Sequence, residues 1–182
     1  MQDTKPFCLW LTGLPASGKT TLALKLEKAL KGGGFRPVVL DGDNLRQFLY
    51  PELGFSRTAR KAQAERATYV AKLIQKVGGT PIVALISPYR ADRAWARQEL
   101  KAFVEVFVDC PAYICAKRDP KDLWARARRG ELAQFTGVDD PYERPTLPEV
   151  RVDTARHSPE RCCSTVLAKL VELGFSAAQE EG

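Results

Sequence analysis

Short, uninterrupted apolar runs alternate along the chain with longer stretches in which apolar residues recur every third or fourth position. That alternation predicts strands buried on both faces and joined by helices, the pattern of a parallel sheet. Phe7–Leu11 reads as the first strand and ends in a Gly-rich turn at Gly13. A helix should open near Gly18, place Leu22, Leu26 and Leu30 on one stripe, and stop at Gly32-Gly33-Gly34. Pro37–Leu40 is a second strand ending at Asp41, and Asp43–Val77 is helical apart from a Pro51–Ser56 turn. Pro81–Ile86 and Phe103–Asp109 are further strands, with a helix over Asp92–Lys101 between them. A short helix over Pro111–Lys117, an arginine-studded one over Lys121–Arg129 and a Pro-rich segment over Gly137–Pro148 follow. The pattern closes with a short strand near Val150–Val152 and a helix over Ser164–Leu173. Residues 176–182 are expected to fray, and no linker or repeat divides the 182 residues, so one domain is expected.

Composition changes this picture little. An apolar fraction of 45% and a charged fraction of 27% are those of a globular chain. The formal charge of +6 points to an anionic partner. No nucleic-acid-binding signature accompanies it, so a small nucleotide is expected and nucleic acid is not. Five cysteines, odd in number and without CxxC or zinc spacing, read as reduced, buried thiols of a cytoplasmic protein. No signal-peptide pattern opens the chain, and no run approaches the ~18 apolar residues of a membrane span, so no membrane partner is expected.

Candidate chemistry begins at Gly13-Leu14-Pro15-Ala16-Ser17-Gly18-Lys19-Thr20, which fits GxxxxGK[ST] at every specified position. Glycines let backbone N–H groups converge on phosphate oxygens, and the following helix aims its N-terminal dipole at the same anion. Lys19 would reach the β- and γ-phosphates of ATP, and the Thr20 hydroxyl would ligate Mg²⁺. Thr21, the next helical residue, is grouped with these donor contacts. The pattern follows a predicted strand and opens a predicted helix, as its mechanism requires. The expected class is therefore α/β: a P-loop NTPase-type parallel sheet flanked by helices on both faces.

Asp41-Gly42-Asp43-Asn44 closes the second strand. In open α/β sheets, ligands bind beyond the carboxyl ends of the strands. Asp43 is the candidate base for an attacking hydroxyl, and Asp41 the supporting carboxylate beside Mg²⁺. Either could instead be an ordinary turn or N-cap aspartate.

DGDNLR (Asp41–Arg46), LGFS (Leu53–Ser56), ISPYRADR (Ile86–Arg93) and EVFVDCP (Glu105–Pro111) follow the phosphate loop in order. KRDPKDL (Lys117–Leu123) and FTGVDDPYERP (Phe135–Pro145) complete the series. From about Phe7 to Thr154 this set resembles the adenylyl-sulfate kinase family. The resemblance implies ATP-dependent phosphorylation of the 3′-hydroxyl of adenosine 5′-phosphosulfate, with Mg²⁺, in sulfate activation. It also implies a homodimer, and a place beside a sulfate adenylyltransferase.

Under that resemblance, Arg46 and Arg60 pair with the phosphosulfate, where a guanidinium fork suits tetrahedral anions. Phe55 and Phe135 clamp the adenine, Ile86 lines the slot and Gln63 contacts the acceptor. Core packing is the other reading of the two phenylalanines. Ser87 is a site residue that contacts the acceptor, and the matching serine in the family has been assigned a phosphoserine intermediate. Arg118, Arg126, Arg128 and Arg129 form an arginine-rich lid over the triphosphate, with Arg118 counted among the donor contacts; a solvated helix face is the alternative. Two positions depart from the family: Gln63 replaces an asparagine, and Ala133 replaces a lysine shortly before the FTG segment. Loss of an ammonium donor costs about 1.5–3 kcal/mol unless Arg128 or Arg129 substitutes. Another small nucleotide acceptor, or a non-catalytic nucleotide switch, are the competing functions. His157 is read as an exposed loop residue without a role, and Trp95 and Trp124 as packing residues.

Overall fold

The computed structural model describes residues 6–175. Its centre is a parallel sheet of β1 (Cys8–Thr12), β2 (Pro37–Asp41), β3 (Thr80–Ala84), β4 (Phe103–Asp109) and β5 (Val150–Asp153), in the order β2-β3-β1-β4-β5. Every neighbouring pair is parallel, with Leu9 opposite Ile82 and Val104, and Val39 opposite Ile82. Helices α1 (Lys19–Gly32) and α7 (Pro159–Glu172) cover one face. The helices α3 (Arg57–Lys76) and α4 (Arg90–Glu99) cover the other, and the short α2 (Gly42–Phe48) leaves the end of β2. Short α5 (Ala112–Arg118) and α6 (Leu123–Arg128) stand above the strand ends.

The two faces explain the continuous apolar run in β1. Phe7, Leu9 and Leu11 point to a core shared with Leu22, Leu26, Val166 and Leu170. Cys8 and Trp10 point to the opposite core, with Ala67, Ala71 and Ala96. A strand sandwiched this way has no polar face to alternate with. Each fully buried leucine contributes about 1.5–3 kcal/mol relative to exposure.

The expected α/β class is present, and element borders shift modestly. The third strand ends at Ala84, two residues short of Ile86, so Ile86 and Ser87 lie in the following loop. The last helix begins at Pro159, five residues before Ser164. Its start was written in the chain: Ser158 is the N-cap, its hydroxyl accepting from the Arg161 N–H at 3.3 Å, and Pro159 fills the first turn, where its missing N–H costs nothing. Polar residues in that first turn masked the apolar stripe. The tail expected to fray lies outside the described residues.

Candidate active site

The phosphate loop is built by close approach. A Cβ at Gly13 would lie 2.5 Å from the Val108 carbonyl oxygen, so only glycine fits against β4 there. Gly18 turns the chain into α1 at φ 97°, a left-handed conformation that favours glycine. Lys19 is buried; its ammonium donates to the carbonyl oxygens of Gly13 and Leu14 at 2.9 and 2.8 Å. Burial pushes its pKa down to about 8, the mark of a cation held out of water without a full counter-charge. The loop's own carbonyls thus hold the lysine in place for an anion.

Asp41 caps α2: one carboxylate oxygen accepts from the Asp43 N–H at 3.0 Å, and the other accepts from the Thr20 hydroxyl at 2.7 Å. A hydroxyl and a carboxylate in contact form an all-oxygen set of the kind Mg²⁺ takes. Asp43 is exposed, and Lys121, from the loop between α5 and α6, is ion-paired to it across the mouth of the cleft.

Arg46 donates to the Leu53 and Gly54 carbonyls and, at 3.1 Å, to the Gln63 side chain; its guanidinium lies 4.5 Å from the Phe55 ring centroid. Arg60 is 5% exposed and donates to the Phe55 carbonyl at 3.0 Å and the Gln134 carbonyl at 2.7 Å. These groups line one cavity of about 1010 Å³ that also takes in Pro15, Ala16, Gly18, Lys19, Thr20 and Thr21. Phe55, Ile86 and Phe135 line its far end. Among the predicted residues, Gly13, Leu14, Ser17 and Ser87 lie outside its walls.

The family model "Adenylylsulphate kinase" matches residues 5–153. The chain belongs to the adenylyl-sulfate kinase family. It is 47% identical over 93% of its length to a probable adenylyl-sulfate kinase of Pyrococcus abyssi, covering 97% of that protein. An adenylyl-sulfate kinase of Clostridium acetobutylicum is 45% identical over 93% of the chain and 86% of its own length. The Mycobacterium tuberculosis APS kinase, solved in complex with AMPPNP and APS, superposes with a TM-score of 0.87 at 40% identity over 92% of this chain and 98% of that one.

Within this adenylyl-sulfate kinase fold, Ser87 has an unexpected orientation. It is buried at a positive φ of 44°, its hydroxyl accepts from the Trp10 indole N–H at 3.1 Å, and its carbonyl accepts from Arg93. One acceptor position of the hydroxyl is therefore engaged inside the protein. Arg118 reaches the Thr154 carbonyl and hydroxyl, and the Thr154 hydroxyl donates to the Ser17 carbonyl at 2.8 Å, tying the exit of β5 to the phosphate loop. Arg126 lines the cleft, whereas Arg128 and Arg129 do not; Arg129 is paired with Glu131 and Asp122. Neither arginine that could substitute for a lysine at position 133 is among the wall residues, whereas Ala133 itself is.

Sequence reasoning missed other wall residues. His157 is exposed, as expected, yet it lines the donor end with Thr154, Pro159 and Cys162. Trp124 is buried as expected, and its indole N–H also donates to the Pro15 carbonyl at 3.1 Å, fastening the lid to the phosphate loop. No local pattern marks either residue; each reaches the cleft through tertiary packing. No helix among the described residues is long and apolar enough to cross a membrane.

Proposed function

We propose that this chain transfers the γ-phosphoryl group of ATP to the 3′-hydroxyl of adenosine 5′-phosphosulfate, yielding ADP and 3′-phosphoadenosine 5′-phosphosulfate. One observation carries the reading: a single cleft joins a complete phosphate loop to an aromatic and arginine-lined slot, with Asp41 and Asp43 on the wall between. A relative with the same fold was solved with AMPPNP and APS together.

In this reading the triphosphate lies over the N-terminus of α1, where Lys19 and backbone N–H groups meet its charge. Asp43 accepts the proton of the 3′-hydroxyl as its oxygen attacks the γ-phosphorus and the bond to the β–γ bridging oxygen breaks. Lys121 must release Asp43 for that carboxylate to serve. Thr20 and Asp41 would hold Mg²⁺, which when bound neutralises charge on the phosphates. Arg118 and Arg126 close the donor side, and exclusion of water strengthens each of these interactions. This route asks no covalent step of Ser87, whose hydroxyl accepts from the Trp10 indole N–H. Positioned groups suffice for direct in-line transfer.

The deciding measurement is ADP release with and without adenosine phosphosulfate; no acceptor-dependent ADP would remove the assignment. A phosphoenzyme that decays into product would overturn direct transfer. The bare wall at Ala133 favours one second reading, a different small nucleotide acceptor, which a substrate panel tests. The five cysteines, all unpaired and buried, support a reducing, cytoplasmic setting. A homodimer is proposed as the assembly, with light scattering as its check. A place beside a sulfate adenylyltransferase is suggested by a 46% identical relative in Sorangium cellulosum named a probable bifunctional SAT/APS kinase, of which this chain covers 29%.

A further inference from the structure

Arg60 is placed unlike a residue whose sole task is to meet an incoming anion. Its side chain is buried on α3, and its charge is already countered by Asp140, 3.4 Å from Nε. Asp140 is itself held by the Tyr89 hydroxyl at 2.8 Å and the Thr136 hydroxyl at 3.3 Å. Two of the guanidinium nitrogens are spent on carbonyls from distant parts of the chain: Nε on Phe55, Nη2 on Gln134. Those carbonyls belong to one aromatic wall of the acceptor slot and to the residue just before the other, Phe135.

From this geometry we infer that Arg60 is a positioning residue that sets the separation of the Phe55 and Phe135 walls, and through it the fit of the acceptor's base. The inference rests on the acceptor reading above. Phe55 stands on the loop before α3 and is 47% exposed, so little apolar packing fixes it. Gln134 adopts φ 59°, a conformation a non-glycine residue keeps only when its surroundings impose it. They do so from both sides: Asp139 accepts from the N–H groups of Gln134 and Phe135 at 2.7 Å each, while Arg60 holds the Gln134 carbonyl. A rigid planar fork can keep two carbonyls at one spacing, whereas a lysine ammonium on a flexible stem cannot. Nη1 remains for the acceptor's anion, so the two tasks are separable by experiment.

The test compares adenosine, which lacks the anion, with adenosine phosphosulfate. Both are titrated into the ADP-loaded protein, with competition against adenosine phosphosulfate used for the weaker ligand. Arg60→Lys, which keeps the charge and loses the fork, should weaken adenosine about tenfold and adenosine phosphosulfate by more, because the anion also loses Nη1. It should also lower kcat, because the 3′-hydroxyl is no longer held in line. Tyr89→Phe removes only the hydroxyl that orients Asp140 and should weaken adenosine about two- to threefold. An unchanged adenosine affinity in Arg60→Lys, with only the anionic acceptor weakened, would make Arg60 a plain anion ligand and end the inference. If Arg60→Lys no longer binds ADP, Asp140→Asn takes its place, and an unaltered adenosine affinity there has the same consequence. Failure of the unaltered protein to bind adenosine phosphosulfate would remove the acceptor reading, and this inference with it.

Discussion

The two ends of the cleft are held by different physics. At the donor end, one stretch of eight consecutive residues holds its own buried lysine through the Gly13 and Leu14 carbonyls, and backbone contacts such as Gly13 against Val108 leave no room for variation. At the acceptor end, residues from α2, α3 and three loops meet through side chains, and Phe55 stays half exposed. The donor end is preorganised before any ligand arrives. The acceptor end is tied together by arginines, so its shape depends on a few long-range bonds.

Lys19 is where that contrast is tested hardest. Replacing it with alanine removes the principal charge facing the triphosphate and should lower kcat about 10³-fold. The same change should leave the ligand-free protein at least as stable, because at neutral pH a buried cation with a pKa lowered from 10.5 to about 8 costs on the order of 3 kcal/mol. The sign follows from proton binding: between pH 8 and 10.5 the unfolded chain holds the proton more tightly, so stability rises with pH through that window. Alanine's advantage should therefore shrink toward pH 10.5. Thermal melts across pH check it, and a clear loss of stability at pH 7 would show that the lysine's bonds to the loop carbonyls outweigh its burial.

Next in size is Asp43→Asn, which keeps the shape and removes the proton acceptor. We expect kcat to fall at least about 10²-fold with little change in binding of either nucleotide, measured by calorimetry. Equal losses in affinity and rate would instead make Asp43 a binding residue.

Ala133→Lys probes the acceptor end alone. It puts an ammonium on a wall that Arg128 and Arg129 do not face, and should tighten adenosine phosphosulfate about tenfold while leaving the KM for ATP unchanged. A parallel change in the KM for ATP would mean the two ends are not independent.

That independence also governs what could be read from sequence. The donor end was legible because its geometry is local: GLPASGKT specifies turn, helix start and cation within one segment. The strands were legible because β1 and β4 are mainly apolar, with Thr12, Glu105 and Asp109 as their polar positions. The acceptor slot draws on positions 46, 55, 60, 63, 86 and 135, which no local rule associates; only the ordered family motifs brought them together. At Ser87 the sequence showed only a place beyond a strand end; that β3 stops at Ala84, that the backbone turns to φ 44° and that the hydroxyl accepts from Trp10 are set by tertiary packing. His157 and Thr154 reach the donor end only because β5 pairs with β4 and its exit crosses the phosphate loop.

The smallest expected effect concerns the bond that spans both ends. Lys121 and Asp43 pair across the cleft mouth with side chains 54% and 68% exposed, and exposed ion pairs contribute about 0–1 kcal/mol. Lys121→Gln should therefore move the thermal midpoint of the nucleotide-free protein by no more than about 4 °C, since a chain of this size shifts roughly 2–4 °C per kcal/mol. The lid stays anchored in this variant by the Trp124 indole on the Pro15 carbonyl, which is buried. A larger drop would mean that the solvent-exposed pair, rather than the indole, fastens the lid, and that the acceptor end is as firmly preset as the donor end.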